Sequence, residues 1–156
     1  MITILYTDSD KVRSVLGVSD RELLDQTMLD LEIEDQLLLN LPEVYPDHVA
    51  LAAIAEGPNA ELTAEQDLAW RVLRQYVKYR AATYLLPQFQ MITWKRLSDG
   101  DVDQTRYGPD DLAQFCDNIK GEADKYEEAL NPSSDRLMVG FGLVTPGYDP
   151  VVNEGA

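Results

Sequence analysis

Residues 63–87 read TAEQDLAWRVLRQYVKYRAATYLLP, and this stretch decides the fold class. Thr63 and Gln66 have the spacing of a capping box, in which each side chain satisfies the other residue's backbone N–H at a helix start. Behind it, Leu68, Val72 and Tyr76, together with Ala69 and Leu73, recur at the intervals that gather side chains on one helical face. The pattern runs to Leu86, and Pro87 predicts its end, because proline has no N–H for the next backbone hydrogen bond. Arg71, Arg74, Lys78 and Arg80 ride on this helix.

Upstream, Asp8, Ser9 and Asp10 precede Val12, Val15 and Leu16, which reads as a capped helix of about two turns stopped by Gly17. Ser19 and Glu22 repeat the capping-box spacing. Leu23, Thr27 and Leu31, with Leu24 and Met28, then carry a long acidic helix to about Leu41, before Pro42. The piece from Pro42 to Leu62 reads as an excursion, with a short alanine-rich helix over Asp47 to Glu56 between two turns.

Downstream the period changes from Phe89 through Trp94 to Leu97, and Asp99-Gly100 is a strong hairpin signal. Residues 89–107 are therefore expected to form a β-hairpin with Ile92, Trp94 and Tyr107 on one face. Two strands alone are marginal in water, so that face must rest on the bundle or on another chain. Pro109 and Asp110 suit a helix start, and Leu112, Phe115, Ile119, Ala123, Tyr126 and Leu130 keep helical spacing until Asn131-Pro132. From Ser133, Gly140, Gly142, Pro146, Gly147 and Pro150 surround the apolar run Leu137 to Val144, the pattern of an extended tail. The expected fold is mainly α: a small bundle of about four helices at 1–132, including one β-hairpin at 89–107, and an extended C-terminal tail at 133–156.

A length of 156 residues with 45% hydrophobic content suits one domain around one apolar core. The formal net charge of −15 opposes wrapping around nucleic acid, which needs a surplus of Lys and Arg. Cys116 is the only cysteine, so no intrachain disulfide is possible; it falls beside the core stripe of its helix, where an inert buried thiol is the common case. The first ten residues carry no basic n-region. The longest purely apolar run, Val49 to Ala55, is far short of the roughly 20 residues a spanning helix needs. Neither a signal peptide nor a membrane segment is expected, and the cytoplasm is the expected place of synthesis and assembly.

The residues offer little for catalysis. There is no glycine-rich phosphate loop, no His-Glu-x-x-His, no nucleophile elbow and no cysteine pair. His48 is the single histidine and reads as a loop or helix-start residue. Asp30, Glu34 and Glu32, Asp35 sit at helical spacings that could gather carboxylates, but without the Glu-x-x-His of a dimetal site they read as a solvated acidic face. Asp99, Asp101 and Asp103 alternate like calcium ligands, yet Gln104 stands where the EF-hand loop needs Gly and Asp110 where it needs Glu. No enzyme activity, cofactor or metal is expected.

Charge, by contrast, is sorted by segment. Between Glu22 and Trp70 the chain carries twelve carboxylates and no Lys or Arg; between Ala69 and Ser98 it carries six basic side chains and no Asp or Glu. A cationic, aromatic face on an acidic protein suits docking against carboxylates, either the protein's own second helix or those of a neighbour.

The order of parts carries a resemblance. A short helix with Leu16-Gly17-Val18-Ser19-Asp20 leads into a long one. A helix ending in Ala81-Ala82-Thr83-Tyr84-Leu85-Leu86-Pro87 follows, and then Ile92-Thr93-Trp94-Lys95-Arg96-Leu97-Ser98-Asp99-Gly100-Asp101. Over roughly residues 8 to 130 this resembles the head–tail adaptor (connector) proteins of tailed bacteriophages. The excursion at 42–62 and the tail after Pro132 depart from the compact pattern of that family.

The resemblance implies a structural virion protein at the neck, assembled as a homo-oligomeric ring, commonly dodecameric, that links the portal protein to the tail or tail-terminator proteins. A closed ring needs two different faces of each subunit to meet, which an acidic and a basic face provide. An acidic lumen repels phosphate, so DNA would pass without specific binding. The expected contact residues are Trp94, Lys95, Arg96, Asp99, Gly100, Asp101, Arg106 and Tyr107 in the hairpin, with Trp94 and Tyr107 as aromatic anchors. In the tail they are Leu137, Val139, Phe141, Leu143 and Tyr148, which would add a strand to a neighbour or thread along the portal or tail ring. Two rival readings stand beside this one: an acidic DNA-mimic inhibitor of a DNA-binding enzyme, and a tail-completion or terminator protein.

Overall fold

The capping box at residue 63 opens the helix that organises the molecule. Thr63 N–H donates to Gln66 Oε1 at 3.0 Å, and Gln66 N–H donates to Thr63 Oγ1 at 3.2 Å. The computed structural model describes residues 1–58, 61–98 and 109–131, with the backbone alone for 93–98 and 109. Within these the chain is mainly helical with one small antiparallel hairpin. The elements are β1 (Thr3–Ile4), β2 (Thr7–Asp8), α1 (Ser9–Leu16), α2 (Asp25–Asp30), α3 (Ile33–Val44), α4 (His48–Ala55), α5 (Ala64–Ser98) and α6 (Pro109–Leu130). α5 is the spine, on which α1, α3, α4, α6 and β2 all pack. Its buried row of Leu73, Tyr76, Val77, Ala81 and Leu85 forms the centre of the core.

Pro87 does not end α5, which continues to Ser98. Residues 89–98, expected as the first strand of a hairpin, are helical; 99–107, the turn and second strand, lie outside the described residues. The reason is the partner. Leu85, Leu86 and Phe89 prolong the buried stripe beyond the proline. The Phe89 ring meets Phe115 of α6 at 5.4 Å, and Gln90 Nε2 reaches Cys116 Sγ at 3.6 Å. A proline in a helix interior costs about 3 kcal/mol, whereas burying Leu86 and Phe89 returns about 1.5–3 kcal/mol each. Contact partners rise in number along α5 as they fall along α6, from Tyr79–Tyr126 to Phe89–Phe115, so the two helices are antiparallel.

Among the described residues the hairpin is N-terminal, with Thr3 opposite Asp8 and Ile4 opposite Thr7. Its two-residue loop puts Leu5 in the left-handed region at φ 48°, and Glu34 Oε1 holds that turn by accepting the Leu5 N–H at 3.1 Å. Asp8 then caps α1 by accepting the Lys11 N–H, and Gly17 closes it at φ 66°, as the sequence predicts.

The long acidic helix expected from Ser19 is broken into α2 and α3 by Glu32, a left-handed residue at φ 51°. Its capping box survives only as a turn, with Ser19 N–H on Glu22 Oε2 at 2.6 Å. The break has a packing cause. Ile33, Leu37, Leu41 and Val44 are buried at helical spacing, but Met28 precedes Ile33 by five residues; one unbroken helix could not bring both sets to the core. Pro42, expected as a stop, lies inside α3, which runs two residues further to bury Val44. The short helix of the excursion is α4. The tail expected at 133–156 lies outside the described residues.

Candidate interaction surface

Leu37, Leu38 and Leu39 follow one another on α3. Successive helical residues are about 100° apart, so one leucine of the three can face the core squarely. Leu37 is fully buried, Leu38 is 42% exposed and Leu39 is 77% exposed. Asp35, Leu39 and Glu43 form a row at four-residue spacing on the same outer face, and all three are exposed. Leu29 of α2 and Val49 and Ile54 of α4 are also exposed aliphatics on this acidic part of the chain. Glu32, Asp35, Glu43, Asp47 and Glu56 have no ion pair among the described residues. The surface is thus apolar in patches and uncompensated in charge.

Three arginines of α5, Arg71, Arg74 and Arg80, are engaged elsewhere. Arg71 pairs with Asp67 one turn before it at 2.6 Å, and Arg74 Nε donates to the Tyr6 carbonyl at 3.3 Å. Arg80 pairs with Glu127 and with Asp124, the latter at 3.5 Å, both on α6, while its guanidinium lies over the Tyr76 ring. Lys78 sits 4.8 Å from the centre of the Tyr79 ring with no carboxylate partner among the described residues. Of these four, Arg71 alone reaches a carboxylate of the acidic block, and it does so within its own helix. α3 approaches α5 through Asn40, whose amide donates to the Tyr84 hydroxyl. Trp94, Lys95 and Arg96 fall in the last turns of α5, beyond that contact. Asp99, Gly100, Asp101, Arg106, Tyr107, Leu137, Val139, Phe141, Leu143 and Tyr148 lie outside the described residues.

Two buried polar clusters fasten the N-terminal hairpin and α1 to the bundle. Tyr6 OH and His48 Nδ1 share a hydrogen bond of 2.8 Å, and the Tyr6 ring stands edge-on to Trp70 at 5.2 Å. Burial lowers the His48 pKa below its ordinary value, so the folded protein holds the imidazole neutral. The unfolded chain therefore binds the extra proton first. Stability from this group is full above a pH of about 6.5 and is lost as pH falls through the lower folded-state value. Unfolding midpoints in urea are expected to drop as pH falls from 7 to 5, and His48→Gln is expected to flatten that slope; an unchanged slope in the variant would assign it to other groups.

Arg13 is the second cluster, buried on α1. Its Nε donates to the Leu23 carbonyl at 2.8 Å and its Nη1 to Asp10 Oδ1 at 2.7 Å and Ser9 Oγ at 3.2 Å, while Nη2 pairs with Asp25. The Met1 ammonium, the Ser9 hydroxyl and Arg13 together hold the Asp25 carboxyl well below the usual carboxylate range.

Of the paired carboxylates with possible metal spacing, Asp30 and Glu34 are used otherwise. Asp30 accepts from Gln26 Nε2 at 2.7 Å, and Glu34 holds the Leu5 turn. Among the described residues no three His, Cys, Asp or Glu side chains gather as a metal site, and no helix is long and apolar enough to cross a membrane. Cys116 is buried. The sequence reading missed the exposed leucines and the Arg13 cluster. The run of three leucines was a legible signal for the first; the second joins residues from three elements and had none.

No protein-family model, curated protein or solved structure matches this chain.

Proposed function

We propose that this chain is a non-enzymatic structural protein that forms a ring as a head–tail adaptor at a phage neck, its acidic α2–α4 face receiving the cationic end of α5 from the next copy. The observation that supports the reading is the segregation of charge: the α3 face around Asp35, Leu39 and Glu43 draws none of Arg71, Arg74, Lys78 and Arg80 of α5. Exposed leucines between uncompensated carboxylates suit a protein contact, with an apolar centre and a charged rim. They suit a DNA mimic less, since a phosphate-like surface has no use for aliphatic side chains.

In a phage strain deleted for this chain, heads and tails are expected to accumulate unjoined. Joined particles with normal neck density by electron microscopy would overturn the reading. Complementation with the Lys95→Glu, Arg96→Glu double variant is expected to fail while its circular dichroism melt matches wild type. Competition with DNA for a DNA-binding enzyme, lost at high salt, would transfer support to the mimic.

A further inference from the structure

α1, α5 and α6 leave an open groove of about 430 Å³ between them, lined by Val15, Lys78, Tyr79, Phe115, Ile119 and Glu122 among others. Val15, Phe115 and Ile119 make its apolar wall and belong to or pack on the core. Lys78 is partly buried and has no carboxylate partner among the described residues. Glu122 shares the groove but pairs with Lys125 at 3.5 Å, and nearby Lys11 pairs with Asp8 at 2.5 Å. One positive charge is therefore left over beside the apolar wall. Burial first, and the charge of Lys11 second, lower the Lys78 pKa, the mark of a cation that has lost water without gaining an anion.

We propose that this groove is the docking site for α3 of a second copy of the chain, with Leu39 against Val15, Phe115 and Ile119 and a carboxylate one turn from it, Asp35 or Glu43, against Lys78. This deepens the ring reading, on which it rests for the choice of a second copy. The two surfaces complement each other in both respects. The groove offers an apolar wall beside an unmatched cation, and α3 offers an exposed leucine between unmatched carboxylates. Asp35 and Glu43 each stand four residues from Leu39, about 6 Å along the helix. A helix laid in the groove by its leucine thus brings a carboxylate within reach of the lysine in either direction. A nucleic acid or a free anion would meet Lys78 and leave the apolar wall wet; an apolar ligand would leave Lys78 unmatched. α3 answers both.

Within one chain the two surfaces do not meet. α3 reaches α5 at Tyr84, six residues beyond Lys78 and so about 120° around the helix from it, and Leu39 faces water. Docking therefore uses two different faces of each copy, the heterologous contact from which rings close. Lys78 lies about 25 Å along α5 from Lys95, so the groove extends the proposed contact from the end of α5 to its middle.

Cross-linking between full-length chains tests this. Leu38→Cys sits beside Leu39 on α3 and Asn118→Cys lines the groove, while the wild-type chain, whose Cys116 is buried, is the blank. Mixed and treated with a short bismaleimide, the two variants are expected to give linked dimers about tenfold faster than either alone, because each contact then holds one thiol from each chain. Lys78→Glu in the groove chain, or Leu39→Asp in the α3 chain, is expected to cut that rate about fivefold. Asp35→Lys with Glu43→Lys in the α3 chain is expected to restore it opposite Lys78→Glu, with circular dichroism melts confirming that every variant is folded. A mixture no faster than the single chains would overturn the proposal, as would a rate indifferent to Lys78→Glu and Leu39→Asp. A rate that falls only with Lys95→Glu and Arg96→Glu would overturn the groove and leave the ring reading standing. Charge-dependent dimers alongside joined particles from the deletion strain would uphold the groove and remove the neck reading.

Discussion

Phe89→Ala is expected to lower the free energy of unfolding by about 3–4 kcal/mol, the usual cost of emptying a buried aromatic site. Phe89 is 5% exposed and its ring sits against Phe115 across the α5–α6 seam. Met91, two residues on, is 66% exposed. In a strand, positions two apart share a face, and the pair would respond alike; in a helix they lie about 200° apart. Met91→Ala is therefore expected to change stability by less than about 0.5 kcal/mol. Urea unfolding of the two single variants separates the alternatives. Equal large losses would restore the strand, and equal small ones would remove the seam. A double-mutant cycle with Phe115→Ala is expected to show coupling of about 0.5–1.5 kcal/mol between the rings.

Arg13→Met is expected to cost about 3 kcal/mol. The side chain is 3% exposed, and its removal strands the Leu23 carbonyl and deprives Asp10 and Asp25 of their shared cation. Breaking a buried pair from one side costs about 3–5 kcal/mol; the partial exposure of both carboxylates to water holds this case at the lower end. Arg13→Lys keeps the charge but not the planar fork that addresses a carbonyl, a hydroxyl and two carboxylates at once. It is expected to recover less than half of the loss. Thermal melts of the two variants test this, and a lysine variant as stable as wild type would show that charge alone is at work.

The legible parts of the fold share a property. Asp8 and Lys11, Gly17 and Arg13, Thr63 and Gln66 are partners within four residues of each other, so the geometry that joins them is written in their spacing. Pro109 opens α6 and Leu130 closes it for the same reason. The signals that misled were also local. Pro87 and Pro42 each remove one backbone donor. A local preference of a few kcal/mol yields when a second element offers more buried surface on the other side. α6 offers it at Leu86 and Phe89, the core offers it at Val44, and the mismatch between Met28 and Ile33 forces the left-handed residue at Glu32.

The interaction surface divides in the same way. Segregation of acidic from basic side chains is a property of residue order along the chain and holds whatever the fold. Whether those blocks neutralise each other depends on which helix faces which. Within the described residues Arg80 turns to α6, Arg74 to the Tyr6 carbonyl, and the α3 carboxylates face outward.

By itself, then, the sequence determined the helical class, the ends of α1 and α6, the start of α5, the single free cysteine and the sorted charge, because each depends on residues adjacent in the chain or on counts. Only the tertiary structure decided that α5 runs through its proline, that the acidic helix breaks in two, that a hairpin forms at Thr3–Asp8 and that Leu39 faces water between carboxylates. Those outcomes turn on surfaces contributed by residues far apart in sequence, and burial between such surfaces outweighs the few kcal/mol that any local signal can offer.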